Sequence, residues 1–282
     1  MSKFWLIPCL AVGLTIGGGC GSDKPDRVIL CTYADAVAAL NDVKFDLVRK
    51  FCEYDTELNY ASYRLTGKNL AGPEAKRLAA SLQQLDGFVR AAGILDRNGK
   101  RCCHYPADYF AVTAEAKEIP DAAAVMSRLC RDAKVLSAVH LNRNRELVAD
   151  YLCPIKNGDG AVTGAVYLRL AVTELCRYYV GRAVVDMPVN IWVMQTDGLI
   201  VYDADPDEIN RNIIAGDYFR AYPGLIRLAG RVAAAETGTG QYSYLSKGNK
   251  VELVKSAQWD SFTAGGRQWR IVMNIEDRLF IR

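Results

Sequence analysis

Residues 34–65 read ADAVAALNDVKFDLVRKFCEYDTELNYASYRL, a stretch without glycine or proline. Its apolar residues recur three or four positions apart, with one break at Lys44, which is the period of an amphipathic helix. They stand at positions 37, 40, 47, 51, 54, 58, 61 and 65. A helix of about 30 residues is roughly 45–50 Å long. That is long for a globular domain, so we expect this helix to be a spine that joins two sheets.

Glycine and proline separate this helix from a region of shorter elements. Gly67 and Gly72 follow the helix, and Pro73 begins a second one that we expect to end near residue 85. Asn98-Gly99 is a strong β-hairpin signal between the predicted strands 88–96 and 100–105. Further hairpins are predicted around 158–160 and 197–198, final strands at 241–245, 251–259 and 268–275, and helices near 121–133, 172–184 and 223–236.

The two halves of the chain carry similar motifs in the same order. The matching pairs are 93–99 with 192–198, 108–110 with 217–219, 146–148 with 252–254, and Gly160 with Gly266. Each unit is therefore predicted to contain a hairpin, an Asp-Tyr-Phe loop, a helix and long antiparallel strands. We predict an α+β fold in which the long N-terminal helix precedes two antiparallel-sheet modules of about five strands each.

The first twenty residues are typical of an export signal. Lys3 is followed by an apolar stretch of 13 residues from Phe4 to Ile16, which is too short to cross a bilayer as a helix. Gly17-Gly18-Gly19-Cys20 resembles a bacterial lipobox. We therefore predict that residues 1–20 are a lipoprotein signal peptide and that Cys20 is lipidated. An ordinary signal peptide, cut nearby, is the alternative.

Residues 21–33 form a polar tether in this interpretation. Gly21 stands where an inner-membrane retention signal would have Asp, which favours the outer membrane as the place of anchoring. No later segment reaches the roughly 18 apolar residues of a membrane span. We therefore expect the rest of the chain on the periplasmic side of the cell envelope.

Composition argues against several classes of protein. The formal net charge is +3 and there is no long basic run, which argues against nucleic-acid binding. The cysteines that remain after the signal are Cys31, Cys52, Cys102, Cys103, Cys130, Cys153 and Cys176, and sequence alone does not give their disulfide pairing. The only histidines are His104 and His140, and their spacing from the cysteines does not match a zinc site. We predict neither a metal nor a cofactor.

Cys102-Cys103-His104 allows two interpretations. The three residues could form a metal site or a nucleophile with its base, or they could be neighbours on a strand that point to opposite faces. The chain lacks the serine-hydrolase elbow, the His-Glu-x-x-His motif, the P-loop and the dinucleotide-binding glycine motif. We therefore predict that the protein is not an enzyme, since a hydrolase would have to use His104 or His140 as its base.

Several segments resemble the double Cache family, the extracytoplasmic sensor domains of chemoreceptors and sensor kinases. They are 154–155, 158–160 and 162–170 at the end of the membrane-distal module, 196–203 and 205–206 at the start of the membrane-proximal one, and 238–244 with 254–259 in its closing strands. The resemblance covers roughly residues 28–277. It implies a spine helix (34–66), a PAS-like distal module (67–172), a connecting helix (173–187) and a PAS-like proximal module (188–282).

The resemblance also implies a small-molecule sensor, whose usual binding site is the distal module. In amino-acid-sensing relatives an Asp on the last distal strand holds the amine of the ligand, and Arg169 stands at that position here. A cation favours an acidic ligand, because a buried charge needs a partner. We expect a small carboxylate or other organic anion at Arg169, in a cavity lined by Tyr105, Tyr109, His140, Tyr151 and Tyr167. Alternatively, Arg169 pairs with an internal acid such as Asp150 on the neighbouring strand.

Receptors of this family usually continue into a second transmembrane helix and an output domain, whereas this chain ends at Arg282. We therefore expect it to report its ligand to a partner receptor or kinase, or to act as a scavenger. A structural or interaction lipoprotein without a small ligand is the alternative. A second pocket in the proximal module, around Tyr222, Tyr242, Tyr244 and Trp259, remains open.

Overall fold

The computed structural model describes residues 31–109, 122–131, 134–245 and 252–276. The predicted signal peptide, Cys20 and most of the tether lie outside these ranges. Within them, every helix is too short or too polar to cross a membrane.

The described residues form helices and strands in an order close to the predicted one. The helices are α1 (Tyr33–Leu65), α2 (Pro73–Gln83), α3 (Ala122–Leu129), α4 (Val172–Ala183) and α5 (Pro223–Ala234). The strands are β1 (Val89–Asp96), β2 (Arg101–Tyr105), β3 (Val135–Leu136), β4 (His140–Leu141), β5 (Leu147–Lys156), β6 (Val162–Ala171), β7 (Val189–Gln195), β8 (Ile200–Tyr202), β9 (Gly238–Leu245), β10 (Glu252–Ala264) and β11 (Arg267–Glu276).

The strands form two antiparallel sheets, which confirms the predicted α+β class. The first sheet has the order β2-β1-β6-β5-β3, with β4 also paired to β5, and the second has the order β8-β7-β11-β10-β9. In each sheet the first strand of the opening hairpin pairs with the last strand of the unit, β1 with β6 and β7 with β11. The two sheets therefore share the topology that the sequence repeat predicts.

Helix α1 runs along both sheets. It begins in a capping box, in which the Thr32 side chain accepts from the backbone of Asp35 and the Asp35 carboxylate accepts from the backbone of Thr32. Near its start, Lys44 pairs with Asp260 of the second sheet at 2.7 Å. Near its end, the Ser62 hydroxyl donates to the carbonyl of Pro154 in the first sheet at 2.6 Å. One helix therefore holds both sheets.

The buried face of α1 lies in a core that the two sheets share. Phe51 sits where three elements of this core meet. Its ring makes an edge contact with Tyr151 of the first sheet, at 5.7 Å between centroids, and lies 6.0 Å from Phe262 of the second. The opposite faces of the sheets have cores of their own, one beneath α3 and one beneath α5. The face of the first sheet that turns away from α1 therefore forms a separate environment.

Replacing Phe51 with Ala should destabilise both sheets together. The loss of a buried phenyl ring costs about 3–5 kcal/mol of unfolding free energy. All tryptophans of the described residues belong to the second sheet, so their fluorescence in a urea titration reports on that sheet, and far-UV circular dichroism reports on the helices. We expect both signals to shift to the same lower urea midpoint.

Phe45→Ala is the matched control, because Phe45 lies on the same helix and is 67% exposed. We expect its unfolding free energy to stay within about 0.5 kcal/mol of wild type. A Phe51→Ala protein in which the tryptophan signal keeps its midpoint would contradict a shared core.

Candidate functional site

Side-chain alternation along β5 and β6 places a polar pair on the face turned away from α1. Val166, Leu168 and Leu170 point into the shared core, so Tyr167 and Arg169 point to the other face. Asp150 on β5 lies directly opposite Arg169 in the strand register. The sheet therefore brings a cation and an anion together between strands that are buried on both faces.

Arg169 and Asp150 form a buried, two-pronged ion pair. Nε and Nη2 of Arg169 donate to the two carboxylate oxygens of Asp150 at 2.7 and 2.9 Å. Arg169 is 5% exposed and Asp150 is fully buried. Burial alone would lower the pKa of the guanidinium, but the charge of Asp150 outweighs it and the pKa is raised. Arg169 thus remains a cation, in the internal pairing that was one of the two expected alternatives.

The backbone and surroundings of Asp150 are fixed by the segment that contains β3 and β4. The Asp150 amide donates to the Ser137 hydroxyl, and the Ser137 amide donates to the Asp150 carbonyl, both at 2.9 Å. Nε2 of His140 lies 3.8 Å from the carboxylate of Asp150, and its Nδ1 lies 3.2 Å from the carbonyl of Ala138. His140 is therefore next to the ion pair.

Tyr109 lies over the same pair. Its ring centroid is 6.0 Å from the guanidinium carbon of Arg169 and 5.5 Å from that of Arg143, both within cation–π range. The Asn142 side chain donates to the Tyr109 hydroxyl at 3.1 Å. Sequence reasoning did not select Asn142 or Arg143, because the turn between β4 and β5 gave no signal that it would approach Tyr109.

Tyr167 contributes a buried hydroxyl. The residue is 1% exposed, and no described residue offers its hydroxyl a hydrogen bond. Its ring lies against Gly93 of β1: a Cβ there would stand 2.9 Å from the hydroxyl oxygen and 2.5 Å from the Cys103 carbonyl, so glycine makes room for the ring. Burial raises the pKa of the Tyr167 hydroxyl, which therefore stays a neutral donor at physiological pH.

The structure does not bring Tyr105 and Tyr151 to this face. Tyr151 follows Asp150 in the strand, so it points to α1, where its hydroxyl donates to Asp55. Tyr105 lies opposite Ala92 in the strand register, and the Ala92 side chain is in the shared core. Tyr105 is therefore on the same face as Ala92, where it lines a groove beside α2. Both positions follow from alternation, once the register of each strand is known.

The groove beside α2 contains the Cys102-Cys103-His104 segment. Its volume is about 580 Å³, and it is lined by Lys76, Arg101, Cys102, Cys103, His104, Tyr105 and Ala107. All seven cysteines of the described residues are free thiols. Burial raises the pKa of the Cys103 thiol to about 11, and it also raises that of Cys102. A thiol with a raised pKa holds little thiolate at neutral pH and is a poor nucleophile.

Two further arginines lie near the residues that contact the buried pair. Arg101 lies opposite Leu95 on the face of Tyr167, and its positive charge offsets part of the rise that burial causes in the pKa of that tyrosine. Arg143 lies over the Tyr109 ring, and the Glu146 carboxylate accepts a hydrogen bond from the same Asn142 amide that donates to the Tyr109 hydroxyl. The buried Arg169 guanidinium, together with the neutral Tyr167 hydroxyl, suits an anion that accepts hydrogen bonds.

A second polar cluster belongs to the second sheet. Burial raises the pKa of Asp203 to about 6. Hydrogen bonds from the Asp205 amide and the Asn190 side chain act in the opposite direction, since they stabilise the carboxylate, but they do not cancel the effect of burial. The side-chain oxygens of Asn190 and Asn274 have no hydrogen-bond partner among the described residues. Of the residues considered for a proximal pocket, Tyr244 donates to Glu276 at 2.8 Å and Trp259 to the carbonyl of Ala235 at 3.1 Å. These two are therefore engaged in internal hydrogen bonds.

Comparison with known proteins gives matches at the level of structure. No family model matches the sequence, and neither does any curated protein. An extracellular ligand-binding receptor from Desulfohalobium retbaense aligns with a TM-score of 0.69 and 21% identity over 86% of this chain, which spans 41% of that receptor. The fold is that of the Cache sensor domains.

Two chemoreceptor domains align over nearly their full length. The ligand-binding domain of the Pseudomonas aeruginosa amino acid chemoreceptor PctB, in complex with L-Arg, gives a TM-score of 0.59 and 14% identity, with 87% of each chain covered. The periplasmic sensory domain of the Campylobacter jejuni chemoreceptor Tlp1 gives a TM-score of 0.52 and 9% identity, covering 88% of this chain and 93% of that one. At these identities the comparison establishes the fold.

Asp150→Asn should destabilise the protein strongly, because it leaves the Arg169 charge buried without its carboxylate. Breaking a buried pair in this way costs about 3–5 kcal/mol of unfolding free energy. Replacing both partners, Asp150→Leu with Arg169→Met, removes both charges and should restore stability to within about 1 kcal/mol of wild type or above it. Urea unfolding measures both effects.

Asp217→Asn is the control, since Asp217 and its partner Arg220 both have side chains that are 78% exposed. It should change the unfolding free energy by less than about 1 kcal/mol. A paired variant as unstable as Asp150→Asn would show that the destabilisation does not come from an unpaired charge.

Proposed function

We propose that the protein is an extracytoplasmic sensor module that binds a small carboxylate or other organic anion on the first sheet. The observation that carries the proposal is the buried Arg169 guanidinium on the same sheet face as the Tyr167 hydroxyl, for which no described residue supplies a hydrogen bond. The shared fold with chemoreceptor ligand-binding domains supports the sensor role.

Each residue has a defined part in this proposal. Asp150 is a positioning residue, which holds the guanidinium of Arg169 by two hydrogen bonds. The Tyr167 hydroxyl donates a hydrogen bond to the ligand carboxylate, since its raised pKa keeps it protonated. Tyr109 and His140 close the site around the ion pair. Tyr105 and Tyr151 are not part of this arrangement.

A zwitterion is the second ligand class. Asp150 supplies a carboxylate within the same pair, so an ammonium group of the ligand could bind there while its carboxylate binds Arg169. The PctB domain, which shares the fold, is described in complex with L-Arg, a ligand that has both groups. Because Asp150 is already engaged by two hydrogen bonds from Arg169, whereas the Tyr167 hydroxyl has no acceptor among the described residues, a simple anion is our first proposal.

The cellular role is part of the same proposal. Export through residues 1–20 and lipidation at Cys20 would hold the module on the periplasmic side of the envelope. The occupied module would then act on a partner receptor or kinase. We infer that it does not catalyse a reaction, because the thiols of Cys102 and Cys103 have raised pKa values and the chain lacks catalytic motifs.

A thermal-shift screen of residues 21–282 tests the ligand class. The compounds are mono- and dicarboxylates, amino acids, amines, nucleobases and inorganic anions. A ligand at 100 times its dissociation constant stabilises the folded state by about 2.7 kcal/mol, which shifts the melting temperature visibly. We expect hits among the carboxylates, whereas hits among amines alone would overturn the proposed chemistry, and no hits at all would favour an interaction protein.

Tyr167→Phe then locates the binding site. It removes only a buried hydroxyl that has no hydrogen-bond partner in the described part of the chain, so stability should be unchanged or higher. If that hydroxyl donates to the ligand carboxylate, affinity measured by calorimetry should fall by about tenfold or more. Tyr242→Phe, in the second sheet, is the control and should leave affinity unchanged. Equal affinities for both variants would place the ligand elsewhere.

A further inference from the structure

The hairpin between β10 and β11 of the second sheet reaches into the first sheet. Its turn is formed by Gly265 and Gly266. The backbone amide of Leu136, in β3 of the first sheet, donates to the carbonyl of Gly265 at 2.9 Å. A main-chain hydrogen bond therefore joins the two sheets directly, in addition to their common contact with α1.

The turn fits so closely that only glycine is accommodated at one of its two positions. A Cβ on Gly265 would stand 2.3 Å from the Leu136 nitrogen and 2.7 Å from the ring of Tyr151. A Cβ on Gly266 would meet only the Arg128 side chain, at 3.4 Å. Both glycines have positive φ, +52° and +69°, so the difference between them is the contact with the first sheet.

The two residues that touch the turn are each next in sequence to a residue of the proposed site. Leu136 precedes Ser137, which exchanges two hydrogen bonds with Asp150. Tyr151 follows Asp150 in β5. The turn therefore contacts β3 at the residue before Ser137 and β5 at the residue after Asp150.

Helix α1 fixes the hydroxyl end of the Tyr151 side chain, whose ring contacts the turn. The hydroxyl of Tyr151 donates to Asp55, and Asp55 also pairs with Lys134 at 3.3 Å. The Tyr151 ring is thus held between α1 and the turn, so a shift of β5 cannot be absorbed by a movement of that side chain alone. It has to move the turn or break the contact.

We propose that the Gly265–Gly266 turn couples the ion-pair site of the first sheet to the second sheet. A change at Arg169 and Asp150 shifts β5 and β3, and the turn passes that shift to β10 and β11, which lie inside the second sheet. By reciprocity, the second sheet also sets the position of Asp150. The part that a ligand plays in this coupling rests on the proposed function, whereas the contact itself does not.

Hydrogen exchange of the full chain, followed by mass spectrometry without ligand, tests the contact first. Gly265→Ala should lose at least about tenfold protection in peptides covering 134–137 and 149–151, because its Cβ forces the turn away from Leu136. Gly266→Ala carries the same positive-φ strain without the clash and should stay within about threefold of wild type. Equal protection in both variants would overturn the proposal.

The paired variant Asp150→Leu with Arg169→Met tests the coupling and also applies if Gly265→Ala does not fold. It changes the site without leaving a buried charge unpaired. Exchange in a peptide covering 262–268 should change by more than about threefold, while α5 (Pro223–Ala234) keeps its wild-type rate. A turn that exchanges like wild type, or that changes only as much as α5, would contradict the coupling. Since no ligand is used, a failed ligand screen does not affect either result.

Discussion

The buried face of α1 is the interaction on which the rest of the structure depends. A helix of 33 residues is too long to be covered by one sheet, and its apolar stripe is satisfied only when both sheets pack against it. Phe51 marks the junction, since its ring meets Tyr151 on one side and Phe262 on the other. The two sheets therefore share one core along α1, although each has the topology of a complete module.

This packing determines where a ligand could bind. Because one face of the first sheet is used for α1, only the opposite face is available for polar chemistry, and there the strand register sets Arg169 against Asp150. A buried guanidinium requires a carboxylate to remain stable, so the pair is a structural element. In the proposed function the same pairing also holds the Arg169 guanidinium in place for an anionic ligand. The Tyr167 hydroxyl is the one polar group in this neighbourhood for which no described residue supplies a hydrogen bond.

Local patterns in the sequence predict much of this fold. The three-four spacing predicts α1 to within one residue at its start, and Asn98-Gly99 predicts the β1–β2 hairpin. Contacts between distant segments were not predictable in the same way. Sequence alone groups Tyr151 with the cavity residues, because no short motif gives its register relative to α1. It also leaves the Arg169–Asp150 pair as one of two alternatives. The contact of Gly265 with Leu136 depends on how the sheets sit on α1, for which short motifs give no signal.

A crystal structure of the protein soaked with the carboxylate that gives the largest thermal shift tests the central claim most directly. The account predicts the carboxylate on the face of the first sheet away from α1, within hydrogen-bond distance of the Arg169 guanidinium and the Tyr167 hydroxyl. A ligand bound only to the second sheet, or in the groove beside α2 with the neighbourhood of Arg169 empty, would contradict it.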